Sequence, residues 1–141
     1  MSAPAAPPAG PRELSLLRLN AMRAVYALIA FAEGSQVVPA LFAHEPTARG
    51  VIPALLSGFC LTCLLGLRYP ARMLPLLLFE LAWKAIWFCA FGLPQYRSGQ
   101  LPPTFGDDFP AITFGVVIMP FVIPWGYAWR QFVTAPGERW R

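Results

Sequence analysis

Between Ala24 and Arg130 the chain holds four apolar runs, each near the length needed to cross a bilayer. They span about Ala24–Ala43, Val51–Leu67, Met73–Leu93 and Ala111–Arg130. A hydrocarbon core about 30 Å thick needs roughly 20 helical residues, with tilt and local thinning covering the shorter runs. Inside lipid the backbone must satisfy its own hydrogen bonds, so each run is expected to be a helix. The predicted fold is therefore all-α: a polytopic membrane protein with four transmembrane helices in one bundle. Composition agrees. Apolar residues make up 57 % and charged residues 13 % of the 141 positions, against about half and a quarter in soluble domains.

The basic residues fix an orientation. Arg12, Arg18, Arg23, Arg68, Arg72, Arg130, Arg139 and Arg141 fall on one side of the four runs, and only Arg49 and Arg97 on the other. The positive-inside rule then puts both termini in the cytoplasm. Trp125, Tyr127, Trp129 and Trp140 gather at the same end of the fourth run, where aromatic residues mark the interface. The excess charge of +4 is thus read as a topological signal, with no motif for nucleic acid beside it. Residues 1–17, rich in Ala and Pro, are expected to be a disordered cytoplasmic tail, with the membrane domain over 18–133 and a basic tail over 134–141. The stretch after Arg18 and Arg23 lacks a small-x-small cleavage site and is read as a retained helix.

Within these runs, ionisable side chains are the exception that calls for a reason. The third run contains FELAWKAIW, with Glu80 and Lys84 four residues apart, and the first contains EGSQ with Glu33. Counted from Arg72 and Arg23 at 1.5 Å per residue, the three groups lie roughly 12, 18 and 15 Å deep, near one level. Each alone costs about 2.5–3.5 kcal/mol to insert. Glu80 before Lys84 is the favourable i,i+4 order, so this pair neutralises itself and Glu33 is left over. The expectation is that the three meet if the first and third helices are neighbours, with one proton shared between Glu33 and Glu80. Gly34 is expected to allow close backbone approach there, with Ser35 and Gln36 adding hydrogen-bonding groups. Trp87 follows Glu80 and Lys84 on one helical face and could carry a flat apolar ligand such as a quinone. The same residues would equally serve as polar glue between helices, each contact then contributing about 0.6 kcal/mol.

Other constellations are weaker. Cys60 and Cys63 form C-x-x-C, the pattern of thiol redox proteins, but an apolar helix interior leaves such thiols inert. No outer-loop shuttle cysteines accompany them. His44 and Glu45 in one outer loop and Asp107 and Asp108 in the other read as solvated loop charges; no metal site is expected. Pro120 and Pro124 predict kinks in the fourth helix.

The segments RYPARMLPLLLFELAWKAIWF and PWGYAWRQFVTAPGERWR resemble parts of an uncharacterised small bacterial four-helix inner-membrane family, broadly DoxX-like in architecture. That resemblance implies a bacterial inner-membrane location, and DoxX-like proteins include subunits linked to quinone-dependent oxidation; it carries over no catalytic residue. YALIAFAEGS resembles the first helix of small multidrug resistance transporters, and the Glu80–Lys84 pair departs from that pattern. Three functions follow as expectations. The first is an accessory or ligand-binding subunit, with a membrane partner or a second copy of itself. The second is a proton-coupled transporter using Glu33. The third is a thiol or quinone redox protein using Cys60 and Cys63.

Overall fold

Ser15 opens the first helix by accepting the backbone N–H of Arg18 at 3.3 Å, the usual way a hydroxyl satisfies a free helix N-terminus. This is seen in a computed structural model that describes residues 14–42 and 50–137. Four helices are long and apolar enough to span a membrane: α1 (Leu16–Phe42), α2 (Val51–Arg68), α3 (Leu74–Ser98) and α4 (Phe105–Val122). The chain is a multi-pass helical protein of the membrane-spanning kind. A short helix, α5 (Trp125–Trp129), follows and runs into a π-turn at Arg130–Thr134.

Several boundaries differ from those read in the sequence. The first helix begins at Leu16, not Ala24, so Arg18 and Arg23 lie within it. The third continues past Leu93 to Ser98, stopping where Gly99 adopts φ 71°, the left-handed conformation that glycine accepts without strain. The fourth begins at Phe105, six residues earlier than read from hydropathy, with Asp107 and Asp108 in its first turn. Carboxylates are favoured there because they face the positive end of the helix dipole. It ends at Val122 because Pro124 drives Ile123 into an extended conformation, ψ 124°. Pro120 stays inside the helix. The residues Arg12, His44, Glu45, Arg49, Arg139, Trp140 and Arg141, with most of the two tails, lie outside the described residues.

The ends of the helices are closed by side chains from other helices. Without an N–H, Pro124 leaves Pro120's carbonyl free, and the Trp125 indole donates to it at 2.8 Å. Arg18 donates from one nitrogen to the Phe121 and Val122 carbonyls, at 2.6 and 3.3 Å. Arg23 donates to the Leu67 carbonyl at the end of α2 at 3.1 Å. Arginines read from sequence as orientation charges therefore also cap the C-termini of two neighbouring helices, where a cation complements the dipole.

α1 lies along α2 and α3 along α4; narrower contacts of α1 with α4 and of α2 with α3 close the ring. The first and third helices consequently face each other across the diagonal. The dry core sits toward the end that holds Arg18 and Arg23, around Met22, Tyr26, Leu74, Leu77, Met119 and Ile123, all nearly or fully buried. Gly66 makes this possible, since a Cβ there would fall 2.5 Å from the Tyr26 ring. The Tyr26 hydroxyl donates to the Pro70 carbonyl at 3.2 Å. At the opposite end Phe109 stacks with Phe105, Tyr96 and Phe88, centroids 4.7, 5.5 and 5.6 Å away.

Candidate functional site

Glu80 is fully buried on α3. Its Oε2 accepts the Trp83 indole N–H at 2.6 Å, and its Oε1 lies 2.7 Å from Lys84 Nζ. Oε1 has no directed hydrogen bond among the described residues, so the ammonium holds it by charge and not by angle. One helical turn thus neutralises most of Glu80 locally. The Lys84 ammonium also lies 5.2 Å from the centre of the Trp83 ring, where the ring quadrupole attracts a cation.

Lys84 then reaches across the bundle. Its Nζ is 3.7 Å from Glu33 Oε2 on α1. The helices that carry this pair are not direct neighbours as the sequence reading required; the four-carbon stem of lysine spans the diagonal. Room for it comes from Gly115 on α4, where a Cβ would fall 2.7 Å from Lys84 Cδ and 3.3 Å from Nζ. Gly115 was not singled out from the sequence, and nothing in FGVV marks it, because its purpose is defined by a side chain on another helix.

The two carboxylates are held differently. Glu80 is locked by two partners, while Glu33 has one looser ionic contact and keeps 22 % of its side chain exposed. Its position is set by a π-turn over Leu28–Glu33. Such turns, with i→i+5 hydrogen bonds, commonly occur at functional sites. EGSQ continues the helix, which is wider for the one turn that ends at Glu33.

The triad borders a cavity of about 410 Å³. One wall is α1, with Leu28, Ala32, Glu33 and Gln36; the opposite wall is α4, with Ala111, Phe114, Gly115 and Ile118. Glu80, Trp83 and Lys84 of α3 form the back. Asp107 and Asp108, read from sequence as loop charges, line its end toward the 99–104 loop. The volume is within the usual range for small-molecule sites, about 300–1,000 Å³.

The remaining residues singled out from sequence lie elsewhere. Trp87 does not line this cavity: its ring lies over the backbone of Gly92, where a Cβ would be 2.7 Å away. Trp83, passed over in favour of Trp87, is the tryptophan at the site. Ser35 donates back to the Ala32 carbonyl at 2.8 Å and is exposed away from the triad, whereas Gln36 is on the cavity wall. A Cβ on Gly34 would make only ordinary contact with Cys60, at 3.6 Å, so close approach does not demand glycine there. Cys60 and Cys63 are buried free thiols in the core, and neither lines the cavity. Among the described residues no three His, Cys, Asp or Glu side chains are grouped to hold a metal ion.

Fold and site together define a multi-pass helical membrane protein with a charged triad at the back of an intramembrane cavity. No family model, no curated protein and no solved structure matches the chain.

Proposed function

We propose that this chain is a ligand-binding subunit of the bacterial inner membrane, with both termini in the cytoplasm, that holds a small amphipathic molecule between α1, α3 and α4. One observation carries the reading: a largely apolar cavity converges on Glu33, Gln36 and Lys84. Helix glue alone would close around its charges, since leaving any part of a charge unpaired in hydrocarbon is unfavourable. Here Glu33 is left partly open beside empty volume. A bundle of four membrane-spanning helices is compatible with a subunit that works beside a partner or a second copy of itself.

The test is purification of the full chain in mild detergent through a C-terminal tag, with mass spectrometry of everything that elutes with it. A small molecule retained at about one per chain, and lost in Glu33→Gln, supports the reading. A chain that carries no such molecule, and whose bound lipid is the same in Glu33→Gln, refutes it.

A second reading, proton-coupled transport with Glu33 as carrier, is favoured by a different observation. Carboxylates at Asp107, Asp108 and Glu33 lie along one cavity, from the loop end of the bundle to its middle. Ligand binding accompanied by proton release, abolished in Glu33→Gln, would select transport over passive binding.

A further inference from the structure

The cavity is not enclosed on all sides, and the missing side is informative. Leu28 on one wall is 50 % exposed and Phe114 on the other 55 %; Ala32, Gln36 and Ala111 are also exposed. All five lie within segments that span the membrane or at their ends. Surface exposed at that depth faces lipid, so the cavity opens sideways between α1 and α4. The two helices are held together at one end, where Arg18 grips the Phe121 and Val122 carbonyls. Farther along, the main packing of α1 is against α2.

The cleft also has a polarity gradient. Toward the 99–104 loop it carries Glu33, Gln36, Asp107 and Asp108; toward the other end it carries Val25, Leu28, Ile29 and Met119. From Val25 to Gln36 the helix rises roughly 16 Å, close to half of an approximately 30 Å hydrocarbon core. The slot is polar from Asp107 and Asp108 at the loop end to Glu33 near the middle of the bundle, and apolar beyond it, which suits a single-chain amphiphile whose head lies in the loop-side half. Its polar end is rich in acceptors. Three carboxylates and one amide line it there, and the one cation that lines it among the described residues, Lys84, lies closer to Glu80 (2.7 Å) than to Glu33 (3.7 Å). The head that fits is one that donates hydrogen bonds.

Resting on the ligand-binding reading above, we infer that the site takes a single-chain amphiphile with a hydrogen-bond-donating head, which enters sideways from the leaflet on the side of the 99–104 loop, between α1 and α4. An ammonium head and a hydroxyl head share this chemistry. Glu33, Asp107 and Asp108 receive the head, while Leu28 and Met119 line the path of the chain.

The experiment uses the full chain in nanodiscs, with empty nanodiscs as the partition control and native mass spectrometry as the readout. The probes are dodecylamine, monododecanoylglycerol, dodecyl sulfate and butylamine. The expected result is that dodecylamine, monododecanoylglycerol or both bind at one per chain, at least tenfold more tightly than dodecyl sulfate or butylamine. Preference between the first two identifies the head as ammonium or hydroxyl. Leu28→Trp and Ala32→Phe, both at exposed positions, should weaken that binding about tenfold by narrowing the side opening, with the fold retained. Equal binding of dodecyl sulfate would overturn the donor-head assignment. Butylamine binding as tightly as dodecylamine would keep the cavity as a ligand site but overturn the amphiphile. Unchanged binding in both narrowing variants would overturn the sideways path. If none of the four probes binds above the empty-disc level, this inference fails, while the ligand-binding reading stands or falls with the co-purification test.

Discussion

Lys84→Met removes the one cation from a site with two carboxylates, and its effect can be worked from the two distances. At an effective dielectric of about 20, unit charges 2.7 Å apart attract by roughly 6 kcal/mol and those 3.7 Å apart by roughly 4.5 kcal/mol. These gross figures are opposed by desolvation of the same groups, so the net value of the pair is small. Losing one member is different. Glu80 would be left fully buried with only the Trp83 indole for a partner, and uncompensated buried charges typically cost 3–5 kcal/mol. We expect Lys84→Met to lower stability by about 3–5 kcal/mol. The double variant Lys84→Met with Glu80→Gln should recover all but about 1 kcal/mol of this, since the amide keeps an acceptor for Trp83 and carries no charge. The measurement is reversible unfolding in mixed micelles or bicelles at fixed lipid composition. A double variant no more stable than Lys84→Met would refute the reasoning, because the loss would then come from packing around the lysine stem and not from the stranded carboxylate.

Other consequences can be checked in the same assay. Gly115→Ala should displace the Lys84 stem and cost about 1–3 kcal/mol as overpacking; no loss would mean that the stem can move aside freely. Gly66→Ala should cost at least as much, because it meets the rigid Tyr26 ring and not a flexible chain. Arg18→Met should cost about 1.5–3 kcal/mol through loss of the charged hydrogen bonds to the Phe121 and Val122 carbonyls, and Arg18→Lys should restore part of it. Cys60→Ser and Cys63→Ser together should leave ligand binding unchanged, since neither thiol reaches the cavity; a loss of binding larger than the loss of stability would revive a thiol role.

The number of spans was legible from hydropathy alone, because lipid leaves a greasy run of this length only one state. The ends were less so. Hydropathy cannot see that Ser15 starts a helix eight residues before the apolar run, or that Asp107 and Asp108 are welcome in a first helical turn. Pro124 was legible as a disturbance; that it ends the helix follows from Ile123 being forced out of helical geometry. In the site, charge and depth pointed to Glu33, Glu80 and Lys84, and the contacts among them are consistent with that count. Choosing between Trp83 and Trp87 was beyond sequence, since both lie on one helix near the pair and only the hydrogen bond to Glu80 separates them. Gly115 was invisible for a related reason: a space is legible only once its occupant is known.

The π-turns in α1 and α3 make the geometry of the site depend on helix length to within a single residue. A π-turn holds one residue more than the α-turn it replaces. Leu28–Glu33 ends on the loose carboxylate, and Phe88–Gly92 begins four residues after the lysine. Each helix residue turns the chain by about 100°. Deleting one residue between Leu28 and Ala32 would let α1 close into a regular helix and would swing Glu33 by that angle, away from Lys84.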